Sequence, residues 1–162
     1  MDRLFDRRAM LGTVALGGAA WLVFRPASSQ ASVRFEVTHS PAEWKQILGP
    51  QRYYILRQAG TERAFTSPLN DEHRRGIFTC AGCALPLFSS GTKFESGTGW
   101  PSFYRPLPHA VVTRDDRSLM MARTEMLCRR CGGHLGHVFE DGPKPTGLRY
   151  CMNGLALSFR PS

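Results

Sequence analysis

Two short cysteine pairs, Cys80-Ala-Gly-Cys83 and Cys128-Arg-Arg-Cys131, constrain this chain more than any other feature of it. A C-x-x-C turn aims two thiolates at one point, and two such turns supply four sulfurs to a tetrahedral zinc ion with no open position, which makes the site structural. The stretch from Cys83 to Cys128 is longer than the gap inside a zinc ribbon, so the fold itself has to bring the turns together. Gly82, Gly132 and Gly133 suit tight turns around a metal. Two other chemistries use the same spacing. An exported protein could carry these cysteines as disulfides, and a lone C-x-x-C could be a thioredoxin-like redox pair. Neither pair lies in a βαβ pattern, which disfavours the redox reading. Zinc loaded in a reducing cytoplasm before export would displace the disulfide reading, and zinc is the ligand favoured here.

The question of export arises from the first thirty residues. "MDRLFDRRAMLGTVALGGAAWLVF" opens with Arg3, Arg7 and Arg8, runs without charge from Ala9 to Phe24, and gives way to the small, polar "RPASSQAS". That order matches an export signal, and Arg7-Arg8 followed by Ala9-Met10-Leu11 resembles a twin-arginine signal, whose carriers cross the membrane folded. We expect residues 1–31 to be removed after Ala31 and the protein to reside in a bacterial periplasm. An uncleaved anchor over residues 9–24 is the alternative, and a membrane association is expected only in that case. Residues 32–162 are expected to form one domain, since a chain of 162 residues with 42% hydrophobic residues buries one core rather than two. The net charge of +8 is carried almost wholly by scattered arginines. No basic run is interleaved with aromatic residues, so a solvated basic surface is favoured over a nucleic-acid partner.

In "HSPAEWKQIL", Ser40 is an N-cap, Pro41 takes the first helical position and Glu43 lies three residues after the cap. These predict a short helix from Pro41 to about Leu48, stopped by Gly49-Pro50, with a second helical segment in "QRYYILRQAGTE" ended by Gly60. After Gly76 the texture changes to short apolar runs broken by glycine and proline: "GIFTC", "TKFESG", "AVVTR", "SLMMARTEMLC", "GHVFE", "LRYCMN" and "LALSF". They predict a mainly β, antiparallel body behind a small helical lead.

With four sulfurs on a metal, the fifth cysteine, Cys151, remains free. A free cysteine is commonly an inert small hydrophobe. Here Arg149 and Asn153 lie two residues to either side, which on a strand puts both on the face of Cys151, and a neighbouring cation favours the nucleophilic thiolate. His134 and His137 follow the second pair and share a side only if the backbone turns between them, which Gly136 permits. Two histidines with a lone cysteine point to an acid/base group beside a nucleophile; core or surface histidines are the alternative. Trp100, framed by Gly97, Gly99 and Pro101, offers an indole edge suited to a methyl or sulfur group.

"CAGCALPLFSSGTKFESGTGWPSFYRP" followed by "CRRCGGHLGHVFEDGPKPTGLRYCMN" resembles the methionine-R-sulfoxide reductases, the B-type enzymes, over roughly residues 40–160. The resemblance implies two antiparallel sheets leaning together like a tent, with short N-terminal helices and a structural zinc on Cys80, Cys83, Cys128 and Cys131. It implies Cys151 as catalytic nucleophile, Trp100 packing on the sulfoxide methyl, and His134, His137 and Asn153 lining the polar side of the pocket. The implied substrate is the R epimer of methionine sulfoxide, free or in proteins, and the implied role is repair of oxidised methionine. Many members carry a resolving cysteine just before the tryptophan, where this chain has Thr98. An external thiol, either thioredoxin-like or of low molecular weight, is therefore the expected reductant. A zinc-stabilised binding module and a thiol peroxidase are the competing functions; neither accounts for Trp100 in its glycine loop.

Overall fold

The computed structural model describes residues 34–118 and 122–162. The expected export signal lies outside the described residues.

The lead is one kinked helix, α1 (Pro41–Gln58). Its start is the predicted capping box: the Ser40 hydroxyl accepts the Glu43 N–H at 3.3 Å, and the Glu43 carboxylate accepts the Ser40 N–H at 2.7 Å. Gly49, with φ 67°, breaks the helical path just before Pro50, so the two expected segments join across a kink. The helix closes on Ala59 in the left-handed region and buries Trp44, Leu48, Ile55 and Leu56. Among the described residues no helix is long and apolar enough to cross a membrane.

Among the described residues nine strands follow: β1 (Gly76–Cys80), β2 (Pro86–Ser89), β3 (Lys93–Phe94), β4 (Ser102–Phe103), β5 (Val111–Asp116), β6 (Arg123–Cys128), β7 (His134–Phe139), β8 (Arg149–Met152) and β9 (Leu157–Pro161). They form two antiparallel sheets, one in the order β2-β1-β9 and one in the order β3-β4-β8-β7-β6-β5. β9 returns the chain end to the first strand, with Phe78 opposite Phe159. Aromatic rings join the sheets. Phe103 of the larger sheet stacks on Phe88 of the smaller at 4.3 Å between centroids and meets Phe78 edge-on at 5.0 Å. All three rings are fully buried, together with Leu87, Leu135 and Met152. α1 covers this core from the side of β7 and of the short turn Gly154–Ala156.

Candidate active site and metal centre

Both C-x-x-C turns have the same backbone. Cys80 N–H donates to Leu85 C=O and Ala84 N–H to Cys80 C=O; Cys128 N–H donates to Gly133 C=O and Gly132 N–H to Cys128 C=O. The residue after each second cysteine is left-handed, with φ 60° at Ala84 and 68° at Gly132. β1 delivers the first turn and the β6–β7 connection the second. Their four sulfurs lie within 4.8 Å of one another, with Cys80 and Cys131 at 3.7 Å and Cys83 and Cys128 at 3.5 Å. A disulfide needs about 2.0 Å, and no two of these cysteines are bonded. A tetrahedral centre with metal–sulfur bonds of about 2.3 Å has sulfur–sulfur edges of about 3.8 Å, which these separations fit. Without a cation, the crowded and buried thiols of Cys80 and Cys131 are pushed up by sharing protons with Cys128. Arg57 of α1 donates to Cys131 C=O at 2.9 Å and ties the helix to the second turn.

Cys151 sits on β8, half-buried, between two strands. It is in register with Ser102 of β4 on one side and His137 of β7 on the other. Lateral neighbours in a sheet project from the same face, so the thiol, His137 and Glu125 of β6 form one row. His134 would face away from His137 on a regular strand. The register between β6 and β7 slips so that Gly136 opposes Met126 while His134 opposes Leu127, which leaves Leu135 as the extra residue of a bulge. The two imidazoles thereby share a face, with centroids 5.5 Å apart. The sharing needs Gly136 itself, at φ 154°, because any Cβ there would run into the Cys151 carbonyl of the adjacent strand.

Each histidine is held by a carboxylate. His134 Nδ1 is 2.7 Å from Glu125 Oε1, and Glu125 Oε2 receives Arg114 Nε at 2.7 Å. His134 Nε2 is buried and has no hydrogen-bond partner among the described residues. His137 Nε2 is 2.8 Å from Asp116 Oδ2, which also receives Arg123. Burial lowers the His137 pKa, against the opposing pull of Asp116. Hydrogen bonds from the Ser118 hydroxyl and backbone, and from His137, hold the Asp116 carboxyl well below the usual range.

The Trp100 loop reaches the thiol through Thr98, whose hydroxyl lies 3.8 Å from Cys151 Sγ. Ser96 bonds both Thr98 and Ser102 and braces the loop. The Trp100 indole N–H donates to Glu62 C=O at 3.1 Å. Arg149 is bidentate on Asp141 at 2.9 and 2.8 Å and lies over the Phe139 ring. Its pKa is raised chiefly by the hydrogen bonds to Asp141. Asn153 follows the strand and is 4% exposed. Its Oδ1 accepts Glu62 N–H at 3.0 Å and its Nδ2 donates to Leu135 C=O at 3.2 Å.

Sequence reasoning missed four residues of this assembly. Glu125 carried a signal, a charged residue inside the otherwise apolar end of "RTEMLC", and so did Asp116 at the end of a strand. Ser102 and Glu62 carried none. Glu62 is 7% exposed and its carboxylate caps the turn after Asn153, accepting the Gly154 and Leu155 N–H groups.

Residues 48–161 match the model of the SelR domain. The chain is 55% identical over 129 residues to a protein of Leptospira interrogans named peptide methionine sulfoxide reductase MsrB, covering 79% of this chain and 98% of that one. It is 59% identical to the protein of the same name from Thiobacillus denitrificans (74% and 92% covered) and 52% identical to that from Agrobacterium fabrum (78% and 94% covered). A match of this extent, on a two-sheet body with four cysteines placed to hold a metal ion, shows that the chain belongs to the SelR domain family of methionine sulfoxide reductases and is an oxidoreductase.

Proposed function

We propose that this protein reduces the R epimer of methionine sulfoxide to methionine, with Cys151 as the attacking thiol. The observation that carries the reading is the row formed by Cys151 and His137, onto whose face the bulge at Leu135 brings His134 with its unpartnered Nε2. The sulfoxide sulfur is electrophilic, but its oxygen leaves poorly unless protonated. The Cys151 thiolate forms a bond to sulfur while a histidine delivers a proton to the oxygen. The oxygen then passes to Cys151, the bond between the two sulfurs breaks, and methionine departs. The net step converts one thiol and one sulfoxide into one sulfenic acid and one methionine. Two equivalents of an external thiol return the sulfenic acid to the thiol, releasing water and a disulfide. Thr98 stands beside Cys151 and cannot take that role, which supports an external reductant.

Trp100 offers the methyl a wall and the histidines offer the oxygen donors; the S epimer would exchange the two groups. Asn153 holds the turn behind Cys151 through its two hydrogen bonds. Cys80, Cys83, Cys128 and Cys131 would hold zinc, which supplies a structural crosslink and takes no part in the reaction. Residues 1–31 act as the twin-arginine export address, and the physiological task is repair of oxidised methionine outside the cytoplasm; the arginine pair and apolar run support this.

The test is turnover of separated R and S sulfoxides with dithiothreitol. Reduction of the R epimer alone is expected, with none by Cys151→Ser of unchanged metal content. Equal rates on both epimers, or an active Cys151→Ser, would refute the assignment.

A further inference from the structure

A line of hydroxyls runs from the backbone of Trp100 to the Cys151 thiol. The buried Ser102 hydroxyl donates to the Trp100 C=O at 3.1 Å and lies 2.7 Å from Ser96 Oγ. Ser96 Oγ is 2.8 Å from Thr98 Oγ1, which stands 3.8 Å from Cys151 Sγ. Each hydroxyl has one proton to give and two lone pairs to receive with, so the line has a direction. Oxygens 2.7 and 2.8 Å apart need a proton between them. With Ser102 donating to the Trp100 carbonyl, Ser96 must donate to Ser102 and Thr98 to Ser96. Thr98 then offers Cys151 only lone pairs, which suits a thiol whose S–H donates to it. A thiolate has no proton to give. Thr98 can donate to it only if Ser96 donates to Thr98 and Ser102 to Ser96, and the Ser102 proton then leaves the Trp100 carbonyl. The Thr98 N–H, 3.4 Å from Ser96 Oγ, fits either direction. The charged groups on the same sheet face are held by other partners: Arg149 of β8 by Asp141, His137 of β7 by Asp116, and Glu125 of β6 by His134 and Arg114.

We infer that Ser96 and Ser102 are positioning residues for Cys151, acting through Thr98 as a reversible ladder that ties the charge of the thiol to the backbone of Trp100. The inference rests on the proposed attack by Cys151 and describes how that same site is regulated. No covalent bond changes along the ladder: each O–H rotates about its own oxygen, and the proton that Cys151 gives up passes to water. The thiol form locks the Trp100 carbonyl, and the thiolate releases it. The two ends of the ladder therefore act with opposite sign. Without the Ser102 hydroxyl, the thiol direction leaves Ser96 a proton and no acceptor, which is costly in a part-buried site, whereas the thiolate direction strands no donor. Without the Thr98 hydroxyl, the thiolate loses its donor.

The experiment follows alkylation of Cys151 by iodoacetamide in the metal-loaded protein at one near-neutral pH, read by mass spectrometry of the Cys151 peptide. Thr98→Val should slow the reaction about tenfold, the scale of one hydrogen bond to a charged group, and Thr98→Ser should restore it. Ser102→Ala should speed it about threefold, the scale of one neutral hydrogen bond. In a Thr98→Val background the same change at Ser102 should have no effect. A Ser102→Ala protein that reacts at the wild-type rate or more slowly, as loss of a mere brace would give, would overturn the inference, and so would an effect of Ser102→Ala that persists beside Thr98→Val. Alkylation needs no sulfoxide, so turnover of R-methionine sulfoxide is measured in parallel. Wild type that alkylates in the expected pattern yet reduces no sulfoxide would refute the proposed function and leave the ladder standing.

Discussion

His134 Nδ1 lies 2.7 Å from Glu125, a carboxylate that is 4% exposed and held from its other side by Arg114. Burial works to raise the Glu125 pKa, but the bonds from His134 and Arg114 outweigh it and keep the group ionised. The carboxylate thereby fixes the imidazole through Nδ1 and leaves the buried Nε2 as its unpaired ring nitrogen among the described residues. Glu125→Gln should lower kcat by about 10²-fold, the scale of a compromised acid/base group, with KM little changed. Steady-state kinetics check this, and an unaltered kcat would separate Glu125 from proton delivery.

His137 predicts how stability responds to acid. Its folded pKa lies below 6.5, so between the two values the unfolded chain binds more protons than the native one. Stability should be steady above that window and fall as pH drops through it. The depressed Asp116 adds a second loss, in the same direction, once the pH falls below 3.8. Urea midpoints between pH 8 and pH 5 should decline on acidification, and His137→Gln should flatten that decline.

The metal centre predicts one metal ion per chain and a thiol count that depends on it. With the metal bound, Cys151 alone should react with a thiol reagent; all five should react after chelation in denaturant. Cys80→Ser or Cys128→Ser should cost several kcal/mol, on the order of a broken structural site. Intact disulfides by mass spectrometry would contradict the geometry of the four sulfurs.

Thr98 predicts the fate of the oxidised enzyme. One equivalent of R-sulfoxide without reductant should give one methionine and a dimedone-trappable Cys151, with no new disulfide. Thr98→Cys places a thiol where a hydroxyl now stands 3.8 Å from Cys151 Sγ, between Gly97 and Gly99. Peptide mapping of that variant should find the two residues bonded. Wild-type enzyme with Cys151 bonded to Cys80, Cys83, Cys128 or Cys131, and metal released, would make the centre part of the redox cycle.

Local features were legible where local chemistry decides them. The Ser40 and Glu43 capping box, the strand at "GIFTC" and the turn within each C-x-x-C all follow from neighbours within a few residues. β2 and β4 were not legible. β4 is two residues long, too short to alternate, and β2 begins with a proline at a sheet edge. The common face of His134 and His137 hangs on a one-residue slip against β6, which no spacing within β7 displays. Glu62 was invisible because its partners Gly154 and Leu155 lie at the far end of the chain.

Glu62 also determines how the site moves. Its carbonyl holds the Trp100 indole, its N–H is held by Asn153, and its carboxylate holds the two amides that follow. No wall of the thiol site can swing out alone, since freeing the tryptophan loosens the residue on which the Asn153 turn depends. The site therefore breathes as one cooperative unit. The amide protons of Glu62, Gly154 and Leu155 should exchange with solvent at a common rate, and that rate should rise together when the indole anchor is cut.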